Sequence, residues 1–138
     1  MQTVMMFRLL VVASLVLGLI GAFLDTIVPG VIPKVLEDAY KVYTDTDEGW
    51  GTAVILGVAA IGLLVAGIAA TVGLLQLKRW SRSLALWVTI GAFATHPLIG
   101  VTLQSGWAFV LTEVSTAMWG AVLAMAYYSE LKTHFEVV

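Results

Sequence analysis

Three ionisable side chains stand in or beside the apolar stretches of this 138-residue sequence: Asp25, His96 and Glu113, with Thr116 one helical turn after the last. An imidazole with two carboxylates is an acid/base set, and the same groups offer ligands to a proton or a small cation. Burying a carboxylate costs on the order of several kcal/mol unless it is paired or neutralised. The cluster therefore has two readings, a functional proton or cation site and a structural ion pair or water-filled vestibule. Catalysis is not expected, because Ser14, Ser115 and Thr116 sit in no recognisable nucleophile motif and no Gly-rich phosphate loop is present. The absence of cysteine excludes disulfides, thiolate metal sites and cysteine nucleophiles. No metal and no cofactor are expected.

These residues must be positioned by helices in lipid. With 60% hydrophobic and 12% charged residues the chain has too little polar surface to cover a soluble globule. Apolar runs fall at roughly 4–24, 53–77, 84–101 and 108–128, each near the ~20 residues that cross the hydrocarbon as a helix. A β-barrel is excluded because the runs are continuous rather than alternating. The fold expected is an all-α integral membrane protein, a single four-helix transmembrane domain over 1–138.

Basic residues give the orientation. Arg8, Lys78, Arg79, Arg82 and Lys132 lie on one side of the four spans, and Lys34 and Lys41 alone lie on the other. Both termini are therefore expected in the cytoplasm of a bacterial inner (plasma) membrane. The opening residues also match a signal-peptide pattern and are read as a retained first span. A net charge of −2 gives no reason to expect nucleic acid.

The chain partly repeats itself. Residues 20–31, IGAFLDTIVPGV, match 90–101, IGAFATHPLIGV, at a shift of seventy that also aligns Arg8 with Lys78. Gly49 and Trp50 align with Gly106 and Trp107 at a shift of fifty-seven. Two tandem αα-hairpin repeats are expected, 1–77 and 78–138, in one orientation. The alternative is coincidence among residues common in membrane helices. The difference between the shifts is an insertion in the first outer loop, 32–49. There Pro33 and the spacing of Val35, Leu36, Ala39 and Val42 predict a short surface helix near Pro33 to Tyr43. Lys34 with Asp38 and Glu37 with Lys41 are spaced for i,i+4 pairs. Tyr40, Tyr43, Asp45, Asp47, Glu48 and Trp50 make this loop the expected recognition surface.

Small residues at three-and-four spacing mark the faces that meet in lipid. They are Ser14, Gly18, Gly21 and Asp25 on the first span, and Ala59, Gly62, Ala66, Ala69 and Gly73 on the second. On the third they are Thr89, Ala92, His96 and Gly100, with Pro97 as a break, and on the fourth Glu113, Thr116, Gly120 and Ala124. At about 1.5 Å per residue His96 and Glu113 come to one level in the outer third of the bilayer, with Asp25 close by, and direct or water-mediated contact is expected. Two functions follow. One is a binding or accessory subunit, acting without catalysis as a homo-oligomer or on a larger membrane partner. The other is a small homo-oligomeric transporter or channel that uses the Asp/His/Glu cluster.

Overall fold

A computed structural model describes residues 2–44, 50–99 and 102–135, with the side chains of 50–53 outside the description. Its elements are α1 (Gln2–Ile27), α2 (Lys34–Thr44), α3 (Trp50–Leu75), α4 (Arg79–Ile99), α5 (Gly106–Tyr128) and α6 (Leu131–His134), with no strand among the described residues. Among the described residues three stretches are long and apolar enough to cross a membrane: Gln2–Ile27, Val54–Leu75 and Gly106–Tyr128. Helix α4 has 21 residues but carries Arg79, Ser81, Arg82, Ser83, Thr89, Thr95 and His96, and so falls short on hydropathy.

Local chemistry sets the helix ends. Pro29 stands just beyond α1, and Gly30 turns the chain at φ 85°, a conformation that a side chain would strain. Helix α2 begins one residue later than expected because Pro33 stays outside it and lends its carbonyl to the N–H groups of Leu36 and Glu37. Thr44 closes its last turn by donating to the carbonyls of Tyr40 and Lys41. Neither i,i+4 pair forms an ion pair in the described structure, which costs α2 little because exposed pairs contribute only a few tenths of a kcal/mol. No residue of α2 is buried.

Helices α3 and α4 are joined by the tightest link in the chain. The Lys78 N–H donates to the Gly73 carbonyl at 2.9 Å and the Leu77 N–H to the Leu74 carbonyl at 3.0 Å, a Schellman closure with Leu77 left-handed at φ 57°. A Cβ on Gly73 would stand 2.6 Å from that of Ser81, so glycine lets α4 fold straight back onto α3.

The helices pack as two antiparallel pairs, α1 with α5 and α3 with α4, which touch each other mainly at one end. That end, here the base, holds the start of α1 and all of α6. Phe7 meets Phe135 edge to face at 5.9 Å, and Val11, Ala70, Leu74, Ala85, Val122, Ala126 and Leu131 complete the core around them. Three polar ties join the pairs. Arg8 donates from Nε to the Leu75 carbonyl, Arg82 from Nη1 to the Ala126 carbonyl, and Trp119 from Nε1 to the Thr89 hydroxyl at 2.8 Å. Away from the base α3 is uncovered, with Val54, Ile55, Val58 and Ile61 more than half exposed.

The packing cuts across the expected repeat halves, since α1 lies on α5 and α3 on α4. The pairs do exchange under the repeat shifts, but their registers do not. Gly18 and Gly21 lie against Ser115 and Thr112, whose shifted equivalents would set Val88 against Val58 and Gly91 against Ile55. Instead Val88 lies against Gly67 and Gly91 against Leu63. The short turn after Leu75 fixes the α3/α4 register, whereas no such link constrains α1 and α5.

Candidate functional site

Asp25 lies in the last turn of α1, one turn beyond the closest approach of α1 to α5. A Cβ on Gly21 would stand 2.7 Å from the Thr112 hydroxyl and 3.1 Å from the Ala108 carbonyl, so only glycine admits the contact. Continuing along that seam, Asp25 reaches the start of α5. Its Oδ2 accepts the Ser105 backbone N–H at 2.8 Å. Ser105 is the N-cap of α5, and its hydroxyl accepts the Ala108 N–H. The carboxylate thus sits at the positive end of the α5 dipole. Its other oxygen, Oδ1, is buried and has no hydrogen-bond partner among the described residues.

Beside the carboxylate is a cavity of about 440 Å³ between α1, α4, α5 and the segment before α5, lined by Gly18, Gly21, Asp25, Thr26, His96, Gln104 and Thr112 among others. Gln104 donates from Nε2 to the Thr112 hydroxyl at 3.2 Å, and that hydroxyl donates on to the Ala108 carbonyl. His96 is exposed, and because a carbonyl only accepts, its Nδ1 is the donor in the 2.9 Å bond to the Ala92 carbonyl. Thr95 donates to the same carbonyl. Helix α4 runs through Pro97 to Ile99 without the expected break, although Pro97 has no N–H for the Phe93 carbonyl.

Of the expected cluster, Asp25 and His96 line one cavity. Glu113 and Thr116 do not join them. Glu113 is exposed on another face of α5, and Thr116 turns its hydroxyl back to the Thr112 carbonyl. Depth along a helix sets the level of a residue, whereas its neighbours depend on its angle about the axis. Here Thr112 and Ser115 take the inward angle, with Ser115 donating to the Ser14 carbonyl at 2.7 Å. On α3 the buried positions are Ala70, Gly73 and Leu74, while Gly62 is open. Ser105, Gln104 and Thr112 are site residues the sequence reading missed; of these Ser105 carried a signal, an N-cap residue directly before a helical run.

No group of three His, Asp or Glu side chains able to hold a metal occurs among the described residues. In the outer loop, Tyr40 and Tyr43 sit on α2, with Tyr43 exposed. Asp45, Asp47, Glu48 and the side chain of Trp50 lie outside the described residues. No protein-family model matches the chain, and no curated protein or solved structure matches it either.

Proposed function

We propose that the chain is a small membrane protein of four spans that acts, without catalysis, as a binding or accessory subunit through helix packing and its outer loop. The observation that carries this reading is the outward face of α5. Glu113, Thr116, Gly120 and Ala124 are exposed in one row along a helix apolar enough to cross a membrane, and nothing stands within 4 Å of a Cβ placed on Gly120. Small residues at this spacing admit a second helix closely, and an ionisable side chain facing lipid is costly until one covers it. Helix α4 is the fourth span in this reading. It lies antiparallel to α3 over 21 residues, about 30 Å, and Arg82, Thr89, Thr95 and His96 are taken up by Ala126, Trp119 and its own carbonyls. The basic residues at the base support termini that face the cytoplasm of an inner membrane.

Cysteine placed at Ala124 in this cysteine-free chain tests the reading in native membranes. Cross-linking to a second copy or to a larger membrane protein, lost with Gly120→Leu, is the expected result. A cysteine that reacts only with lipid-phase reagents overturns it. A second reading, a proton or cation site in a homo-oligomer, is favoured by Asp25 Oδ1, which has no partner among the described residues, and by His96 in the lining of the same cavity. Flux in liposomes that disappears with Asp25→Asn supports it, and absence of flux removes it.

A further inference from the structure

We propose that the base of the bundle carries a binding groove for one anionic glycerophospholipid. The groove, of about 540 Å³, is lined by Val4, Met5, Leu9 and Val12 of α1, by Arg8, and by His134 from α6. Its two kinds of wall match the two parts of one ligand. Met5 and Leu9 are more than half exposed and Val12 nearly so, a strip running from the start of α1 toward the membrane interior. That strip takes an acyl chain. Beside it, Arg8 spends one donor, Nε, on the Leu75 carbonyl at 3.2 Å, which fixes the plane of the guanidinium and leaves its remaining N–H groups for an incoming oxyanion. An imidazole from His134 faces the same space.

Charge selects the headgroup. Arg8, Lys78, Arg79, Arg82 and Lys132 belong to this end of the fold, against Glu130 and Glu136 in the sequence, and no acidic side chain pairs with Arg8 among the described residues. The potential favours a phosphate without a compensating amine. The groove is also built rather than incidental, because α6 is held in place by the core. Phe135, which follows His134, is fully buried against Phe7, and the mostly buried Arg82 guanidinium lies 5.2 Å from the Phe135 ring and 5.6 Å from that of Tyr127. The Arg82 bond to the Ala126 carbonyl anchors this stack to α5. His134 is thereby fixed over α1.

The test is native mass spectrometry of the full chain in detergent with equal amounts of dioleoyl phosphatidylglycerol and dioleoyl phosphatidylcholine, which share acyl chains and differ in headgroup charge. One phosphatidylglycerol retained per chain, preferred by about fivefold or more, is expected. Arg8→Gln brings the preference close to one, and His134→Ala lowers it by a smaller factor. Leu9→Trp, which fills the strip and leaves every charge in place, removes the retained lipid. Lys41→Gln, on α2 and outside the groove, leaves the preference unchanged. Helical circular dichroism accompanies each variant, and if Arg8→Gln does not fold, His134→Ala and Leu9→Trp still decide. A wild-type ratio of one, a preference that survives Arg8→Gln with His134→Ala, lipid retained by Leu9→Trp, or displacement of the lipid by soluble glycerol phosphate overturns the proposal.

Discussion

The two helix pairs are held together by different chemistry. Along α1 and α5 the contacts are polar and tight: Gly18 and Gly21 admit Ser115 and Thr112, Ser115 donates to a carbonyl of α1, and Asp25 accepts the N–H of Ser105. Along α3 and α4, a Cβ on Gly67 would stand 3.8 Å from Val88 and one on Gly91 3.0 Å from a Leu63 methyl, and among the described residues no hydrogen bond crosses between these two helices away from their shared turn. The second pair has a covalent hinge of three residues. The first has none, and its register depends on specific side chains. Between helices that lack a short connection, glycine and hydroxyl groups supply the register that a turn supplies elsewhere.

Substitutions can break this contrast, beginning with the largest expected effect. Gly21→Ala puts a methyl against a backbone carbonyl that cannot retreat and should destabilise the protein by about 1–3 kcal/mol, read as a fall in the midpoint of thermal unfolding in detergent. An unchanged midpoint would show that α1 slides freely on α5. Asp25→Ala leaves the Ser105 N–H without its acceptor and should cost about 1–2 kcal/mol. Amide exchange should accelerate at residues 105–108 and not at the α3/α4 turn, and equal acceleration at both places would contradict separate pairs. Ser115→Ala removes one interhelical bond and is expected to cost about 0.6 kcal/mol, resolvable by titration with a denaturing detergent. Gly67→Ala is the mirror test. Its methyl meets Val88 at ordinary contact distance, so stability should stay within about 1 kcal/mol of the original, with any change a gain from helix propensity. A loss as large as that of Gly21→Ala would erase the distinction between the pairs.

The sequence made part of this readable. Long apolar runs marked the helices because their length has a single physical cause, and the stripe of Ser14, Gly18, Gly21 and Asp25 was found because small residues on α1 occur in one row. Helix α5 carries two such rows. Glu113, Thr116, Gly120 and Ala124 look as packable as Ala108, Thr112, Ser115 and Val122, and in a helix that is apolar on every side no contrast of polarity tells one row from the other. The choice is made by the partner, which sequence spacing does not contain. Asp25 was legible as an unusual residue, but its partner was not, because the donor is a backbone N–H and every non-proline residue has one. The Pro33 helix was placed to within a residue, since proline supplies a carbonyl and no N–H wherever it stands.

The hinge at Leu77 also bears on the order of assembly. Helices α3 and α4 can meet as soon as both have been made, because closing a loop of three residues costs little chain entropy. Helix α1 is synthesised first and finds its partner last: Ser14 and the Ser115 that binds it are 101 residues apart, and Asp25 lies 80 residues from Ser105. Until α5 emerges, the glycine row of α1 is bare and its carboxylate uncapped. Contacts within the hairpin are local and close quickly, whereas those that seat α1 span most of the chain and need the last long helix.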